Sequence, residues 1–317
     1  MAKSRKCLLI SAAVALAAVA IGAIIVTLLL APAQEKEENS VNGDTGGTGG
    51  TSDNIDGNND TFAIAFPQGA NSLFIGHSFF VPIAEQFDQF ASAGSGYPNH
   101  SAKFFKRGGE NGSPVNLWNE HKEDIEAMIN STTVELFGMT TGTNKTVVDE
   151  VALLEAYTQW IDLGLNYNTN MSFYIGLPWS DYPSTYDDAA AYAIPNQESS
   201  ALMFDILITK LRDLYPNNHI FYLNYGIIAV EMTSMYERDE LVDITDMTGS
   251  KADSIFVDFK GHAGNMLKHM AGLTYMRFLY GTPIDLILEG AGRLGWDRSN
   301  VVNILRAVGE ANKDFQR

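Results

Sequence analysis

The sequence predicts an α/β protein: a mostly parallel sheet covered by helices on both faces, in three layers. Two observations carry this. Short, near-continuous apolar runs rich in β-branched and aromatic residues alternate with longer segments whose apolar residues fall at helical spacing. Strands buried on both faces show no polar alternation, so such runs point to a covered parallel sheet rather than an open antiparallel one. The 45% hydrophobic content is enough for one large core, and a single domain of about 250 residues is usual for such folds.

The elements follow in order. SLFIG (residues 72–76) is the first strand, stopped by a glycine. AKFFKRGG (102–109) is a weaker second. TTVELFGMT (132–140) is dense in β-formers, and MSFYIGLPW (171–179) and HIFYLNYG (219–226) are strong runs. Between them NLWNEHKEDIEAMIN (116–130), TVVDEVALLEAYTQWIDLGL (146–165) and SSALMFDILITKLRDLYP (199–216) carry the helical period. After a long stretch read as irregular, HAGNMLKHMAGLTYMRFLYG (262–281) is a further helix.

The N-terminus reads as a targeting segment. Lys3, Arg5 and Lys6 precede an uncharged run over residues 7–30, longer than the roughly 20 residues that span a hydrocarbon core as a helix. The basic flank belongs on the cytoplasmic side. APA (31–33) resembles a small-residue cleavage site, although secretory apolar regions usually run only about 7–15 residues. Residues 1–33 are therefore expected to be a membrane anchor or a cleaved signal peptide. The domain would be anchored outside the cytoplasm or secreted. Residues 34–60, dominated by Gly, Asp, Asn, Ser and Thr, cannot bury enough surface to offset their ordering entropy and read as a linker. The domain then occupies 61–317. Cys7 is the only cysteine and lies in the targeting segment, so the exported part has no disulfide, thiolate metal site or cysteine nucleophile. Acidic residues outnumber basic ones 38 to 21, a net charge of −17, which repels phosphate backbones and excludes nucleic acid as an expected partner.

Sites in open parallel sheets form at the carboxyl ends of strands. After the first strand stand Gly76, His77 and Ser78. The second is followed by GGENG (108–112), and the third by GTNK (142–145). VDFKGH (257–262) precedes the last helix. Taken singly each is weak: serines and asparagines after strands are mostly turn or cap residues, and glycines mostly supply positive φ. Their joint order resembles the SGNH (GDSL-type) hydrolase superfamily over about Asn71 to Gly281. IGHSF matches its Gly-x-Ser block, RGGENG the glycine after the second strand, GTNK the Gly-x-Asn block, and Asp258 with His262 its C-terminal acid and base. Two departures stand out. Lys145 follows Asn144 where the family commonly has Asp, and three residues rather than two separate Asp258 from His262. Gly261 could absorb the extra residue, or Asp253, or no acid, could orient the histidine.

The resemblance implies a three-layer α/β/α sandwich with a flavodoxin-like sheet and a carboxylic ester hydrolase without cofactor or metal. Ser78 would be the nucleophile, His262 its general base and Asp258 the group that orients the imidazole. The backbone N–H groups of Ser78 and Gly109 (or Gly108), with the Asn144 amide, would form the oxyanion hole. His77 points away from Ser78 if the segment is extended, so it takes a structural or substrate-contact role. Trp179 and Tyr182, in LPWSDYPSTY (177–186), are candidate substrate contacts. The expected substrate is a small-molecule or glycan ester, with acyl groups on glycans favoured by the extracytoplasmic placement.

The same residues admit rival readings. An α/β-hydrolase requires Gly-x-Ser-x-Gly, whereas GHSFF ends in Phe80. An anchored, catalytically degenerate domain binding glycans through its aromatic loop is the stronger rival. A metal enzyme finds only His262 and His269 aligned on one helix face, without HExxH. Asn-x-Ser/Thr triplets at Asn59, Asn99, Asn111, Asn130, Asn144 and Asn170 are glycan acceptors if the host modifies exported proteins.

Overall fold

The computed structural model describes residues 66–93, 96–141, 150–313 and 315. The expected targeting segment (1–33), the linker (34–60), the start of the domain at residue 61, and Asn144 lie outside the described residues.

A five-stranded, all-parallel sheet organises the fold: β1 (Asn71–Gly76), β2 (Ser101–Lys106), β3 (Leu136–Thr140), β4 (Ser172–Leu177) and β5 (Ile220–Asn224), in the spatial order β2-β1-β3-β4-β5. This is the order of doubly wound, flavodoxin-like sheets, and it reverses between β1 and β3. Alternate residues of each strand point to opposite faces. Phe74 and Tyr174 therefore enter one core while Leu73, Ile75, Phe137, Met139, Phe173 and Ile175 enter the other, all fully buried or nearly so.

The first core is closed by α1 (Val81–Ala93), α6 (Ile227–Glu237), α7 (Asn265–Tyr280), α8 (Ile284–Arg293) and α9 (Arg298–Ala311). The second is closed by α2 (Pro114–Asn130), α3 (Glu150–Tyr167) and α5 (Thr209–Leu214). The helix α4 (Ala189–Leu202) adds Tyr192 and Ala193 to the first core. The result is a three-layer α/β/α arrangement. Each fully buried large apolar side chain contributes about 2–3 kcal/mol relative to exposure, so aromatic residues such as Phe74, ringed by Phe80, Phe87, Phe104 and Tyr174, carry a large share of the stability.

The five strands and the helices α2, α3 and α7 fall where the sequence pattern predicts them. Two regions differ. The helix expected over 199–216 begins earlier, at Ala189, capped by Asp188, whose carboxylate accepts from the Ala191 N–H at 2.7 Å. It passes through Pro195, widens to a π-helix over Met203–Ile208 and resumes as α5. A proline inside a helical pattern reads as a break, which hid the first turns. The stretch read as irregular after residue 226 holds α6 and a short pair of parallel strands, β6 (Asp246–Thr248) and β7 (Ser254–Phe256). Most of α6 is buried (Ile228, Ala229, Val230, Met232, Thr233, Met235), and its polar stripe of Glu231 and Ser234, joined by Arg238 just past its end, is too narrow to give a legible period.

Candidate active site

In a doubly wound sheet the strand order reverses where two crossovers run to opposite faces, which opens a crevice at the carboxyl edge. Here that point is the gap between β1 and β3, and Ser78 is the second residue after β1. The chain turns there because the His77 carbonyl accepts from the N–H groups of Phe80 (3.1 Å) and Val81 (3.0 Å), which starts α1. The turn is pinned on both sides of the next peptide: the Phe79 N–H donates to His77 Nδ1 at 3.2 Å, and the Tyr225 hydroxyl donates to the Phe79 carbonyl at 2.9 Å. Ser78 itself is partly exposed.

His262 arrives from the far end of the chain. β7 ends at Phe256, and residues 257–262 form a loop closed by the Val257 N–H donating to the His262 carbonyl at 2.8 Å. Within it, His262 Nε2 lies 2.8 Å from Ser78 Oγ, and His262 Nδ1 lies 2.6 Å from Asp258 Oδ2. The other carboxylate oxygen, Asp258 Oδ1, accepts from the backbone N–H groups of Gly261 (3.0 Å) and His262 (3.1 Å). Partial burial alone would raise the Asp258 pKa. The hydrogen bonds from the His262 ring and from the two backbone donors outweigh it and leave the pKa lowered. An ionised Asp258 places the imidazole proton on Nδ1, so Nε2 is free to accept from the serine hydroxyl.

The tight turn that brings Asp258 to His262 is made at Gly261. Its φ of +96° is a left-handed conformation that side chains resist, and a Cβ there would come 2.8 Å from Pro183 Cδ. Asp253, the alternative acid, is engaged elsewhere, its carboxylate accepting from the Ser250 hydroxyl. The loop is braced from outside by residues 179–183: the Trp179 indole N–H donates to the Gly261 carbonyl at 2.9 Å, and the Tyr182 N–H to the Lys260 carbonyl at 2.9 Å. The Phe79 ring stacks on the His262 imidazole with centroids 5.1 Å apart, and Trp179 packs edge-on against Phe79 at 5.5 Å.

Of the expected substrate contacts, two take other places. Trp179 is buried, 1% exposed, and supports the 257–262 loop from behind. His77 is equally buried, with both ring nitrogens committed to main chain: Nε2–H donates to the Thr141 carbonyl at 2.7 Å, and Nδ1 accepts from Phe79. It ties the end of β1 to the end of β3, across the crevice. His77 thus takes the structural of its two expected roles and Trp179 lies in the core: each buried ring N–H satisfies itself on a main-chain carbonyl, as buried donors must. Tyr182 does stand at the rim, partly exposed, its ring against Phe259 at 5.5 Å.

Burial lowers the His77 pKa to about 4. The Thr141 carbonyl opposes this, and the nearby charges of Lys260 and His262 reinforce it. The imidazole is therefore neutral in the folded protein, while the unfolded value is about 6.5. Its contribution to stability is complete above about pH 6.5 and is lost as pH falls through about 4, an effect of about 3 kcal/mol. Unfolding free energies of wild type and His77→Gln should therefore converge as pH drops across that window. A pH-independent gap between them would contradict a buried neutral imidazole.

Gly109 opens a single 3-10 turn, Gly109–Gly112, that lies directly over His77. Gly112 approaches so closely that a Cβ there would sit 2.7 Å from the His77 Cα. As first residue of that turn, Gly109 has an N–H with no partner within it. Among the described residues neither this N–H nor that of Ser78 has an acceptor. Phe79, Tyr225 and Lys260 were not singled out in the sequence. Only their adjacency to Ser78 or His262 marks the first and last, and nothing local marks Tyr225. Compared with known proteins, the chain matches no family model, no curated sequence and no solved structure.

Proposed function

We propose that the chain is a serine ester hydrolase of the SGNH type, acting outside the cytoplasm, anchored or secreted, through an acyl-enzyme. The single observation that carries this is the unbroken chain of hydrogen bonds Asp258–His262–Ser78, with distances of 2.6 and 2.8 Å, at the switch point of the sheet. The Ser78 hydroxyl is a poor nucleophile until its proton moves to His262 Nε2. Oγ then bonds to the ester carbonyl carbon, and the carbonyl oxygen takes the negative charge. The unpartnered N–H groups of Ser78 and Gly109 are the donors on hand to meet that charge, with the Asn144 amide as the third candidate. Collapse breaks the bond to the alcohol, which leaves with the proton from His262. Water, deprotonated by the same imidazole, then releases the acid and restores Ser78. Asp258 holds the tautomer and balances the imidazolium formed in each half.

Acyl groups on glycans are the favoured substrate class. The exposed ring pair Tyr182–Phe259 at the rim supports this, because aromatic faces receive the apolar faces of sugar rings. The same ring pair supports a second reading, a degenerate domain that binds glycans without turnover. A serine-directed fluorophosphonate decides between them. The full-length chain is expected to become labelled on Ser78, with labelling lost in Ser78→Ala. An unlabelled wild type that still binds glycans would leave the binding reading standing.

A further inference from the structure

The three residues between acid and base, Phe259, Lys260 and Gly261, form the rim nearest the nucleophile. Gly261 makes the turn, the Phe259 ring faces outward, and Lys260 gives its carbonyl to the Tyr182 N–H while nothing among the described residues holds its side chain. Phe259 is 61% exposed, an unusual place for a phenyl ring, and it leans on Tyr182. The Lys260 side chain reaches across to the glycine turn, where its ammonium lies 3.5 Å from where a Cβ of Gly109 would sit. Among the described residues Lys260 Nζ has no hydrogen bond and no ion pair. Asp258 is occupied by His262 and the backbone, and the Glu110 carboxylate beside Gly109 is not within ion-pair distance.

The neighbouring cations behave differently. The Arg107 guanidinium is used up, donating to His121 Nε2 (3.1 Å) and the Lys106 carbonyl (3.0 Å) and lying over the Phe105 ring at 4.4 Å. Lys106 ends β2 level with Gly76, and Lys251 and Lys268 flank the start of α7, just after His262. Lys268 has a lowered pKa, from burial first and then from the charges of Lys251 and Lys106, with Glu85 opposing. In a chain of net charge −17, positive charge is thus gathered at the carboxyl edge that carries Ser78.

We propose that the ester cleaved here carries an anionic group close to its scissile carbonyl, bound by Lys260, with an apolar face laid on the Tyr182–Phe259 ring pair. This rests on the hydrolase reading above and narrows its substrate class to acidic esters. An ammonium beside a candidate oxyanion donor reaches an anion only a few bonds from the reacting carbon. The acidic remainder of the surface disfavours anions elsewhere, so the basic edge also directs the substrate to the nucleophile. The anion could sit on the acyl side, as in a dicarboxylic half-ester, or on the alcohol side, as in an acidic sugar or a hydroxy acid. The chemistry at Lys260 is the same.

Two matched pairs of esters separate these cases and test the proposal on the full-length chain. Mono-4-nitrophenyl glutarate against its methyl ester probes the acyl side. 4-Acetoxybenzoate against methyl 4-acetoxybenzoate probes the alcohol side. Rates are taken above the Ser78→Ala background. In one pair kcat/KM is expected to favour the anion, and the preference should weaken as salt is raised. Lys260→Gln should reduce the anion-to-neutral ratio about tenfold, the effect of losing one charge-assisted hydrogen bond. Lys260→Arg, which keeps the charge, should retain most of it, and Lys210→Gln on the exposed face of α5 should leave it alone. Equal rates within both pairs, or a preference indifferent to Lys260→Gln, would overturn the proposal while the Ser78-dependent turnover still supports the hydrolase. Absence of Ser78-dependent turnover with all four esters removes both.

Discussion

Ser78→Ala is expected to remove ester hydrolysis, lowering kcat by about 10⁶-fold, the scale of losing a nucleophile that works as part of a unit. His262→Ala should cost about as much, and the double variant should cost little more than either alone, because each member is useless without the other. The thermal transition should barely move in Ser78→Ala: the hydroxyl is partly exposed, and its recorded side-chain partner is His262. The check is kcat and the melting temperature of the three variants side by side. Additive losses, or a Ser78→Ala protein that keeps more than about a hundredth of its activity, would show that the 2.8 Å contact is not the reacting pair.

Asp258→Asn is expected to lower kcat by about 10⁴-fold with the fold retained. The reason lies in which oxygen does what. Asp258 Oδ1 receives two backbone N–H groups, and Oδ2 receives the His262 Nδ1–H. An asparagine has one oxygen and one NH₂ group. Two fixed backbone donors outcompete one, so the oxygen stays with Gly261 and His262 and the NH₂ faces the imidazole. The ring then accepts at Nδ1 and carries its proton on Nε2, where it can no longer take one from Ser78. Asp253 cannot substitute, since its carboxylate is held by Ser250. The measurement is kcat over a pH series together with the melting temperature. A loss of less than about tenfold would mean that another group orients the histidine.

Much of this architecture is legible in the chain itself. The five strands announce themselves as unbroken apolar runs because a parallel sheet buried on both faces tolerates no polar alternation. Their carboxyl ends are marked by Gly76, Gly108, Gly142 and Gly226, and functional groups gather there for reasons of topology. What stays illegible has a physical cause in each case. The helix α6 shows little period because its polar stripe, Glu231 and Ser234, is narrow and the rest is apolar. The helix α4 hides behind Pro195.

The candidate site divides in the same way. Ser78, His262 and Asp258 can be picked out along the chain because the blocks that hold them stand in an order that resembles a known hydrolase superfamily, although each block alone is weak. Whether an off-pattern spacing still brings acid to base was undecidable from spacing alone. It turns on one backbone angle, the φ of +96° at Gly261, and on Trp179 and Tyr182 holding the adjoining carbonyls. His77 and Trp179 looked like substrate contacts because polar aromatics beside a nucleophile fit either role. Burial assigns them to the scaffold, since their N–H groups each find a carbonyl to satisfy. The sequence by itself determined the layers and the strand ends, because these depend on local composition and period, and its block order nominated the candidate residues. Only the tertiary structure decided the contacts among residues 77–79, 179–182, 225 and 258–262, because most of those depend on hydrogen bonds between segments far apart in the chain, from 64 residues for His77–Thr141 to 184 for Ser78–His262, which no local pattern encodes.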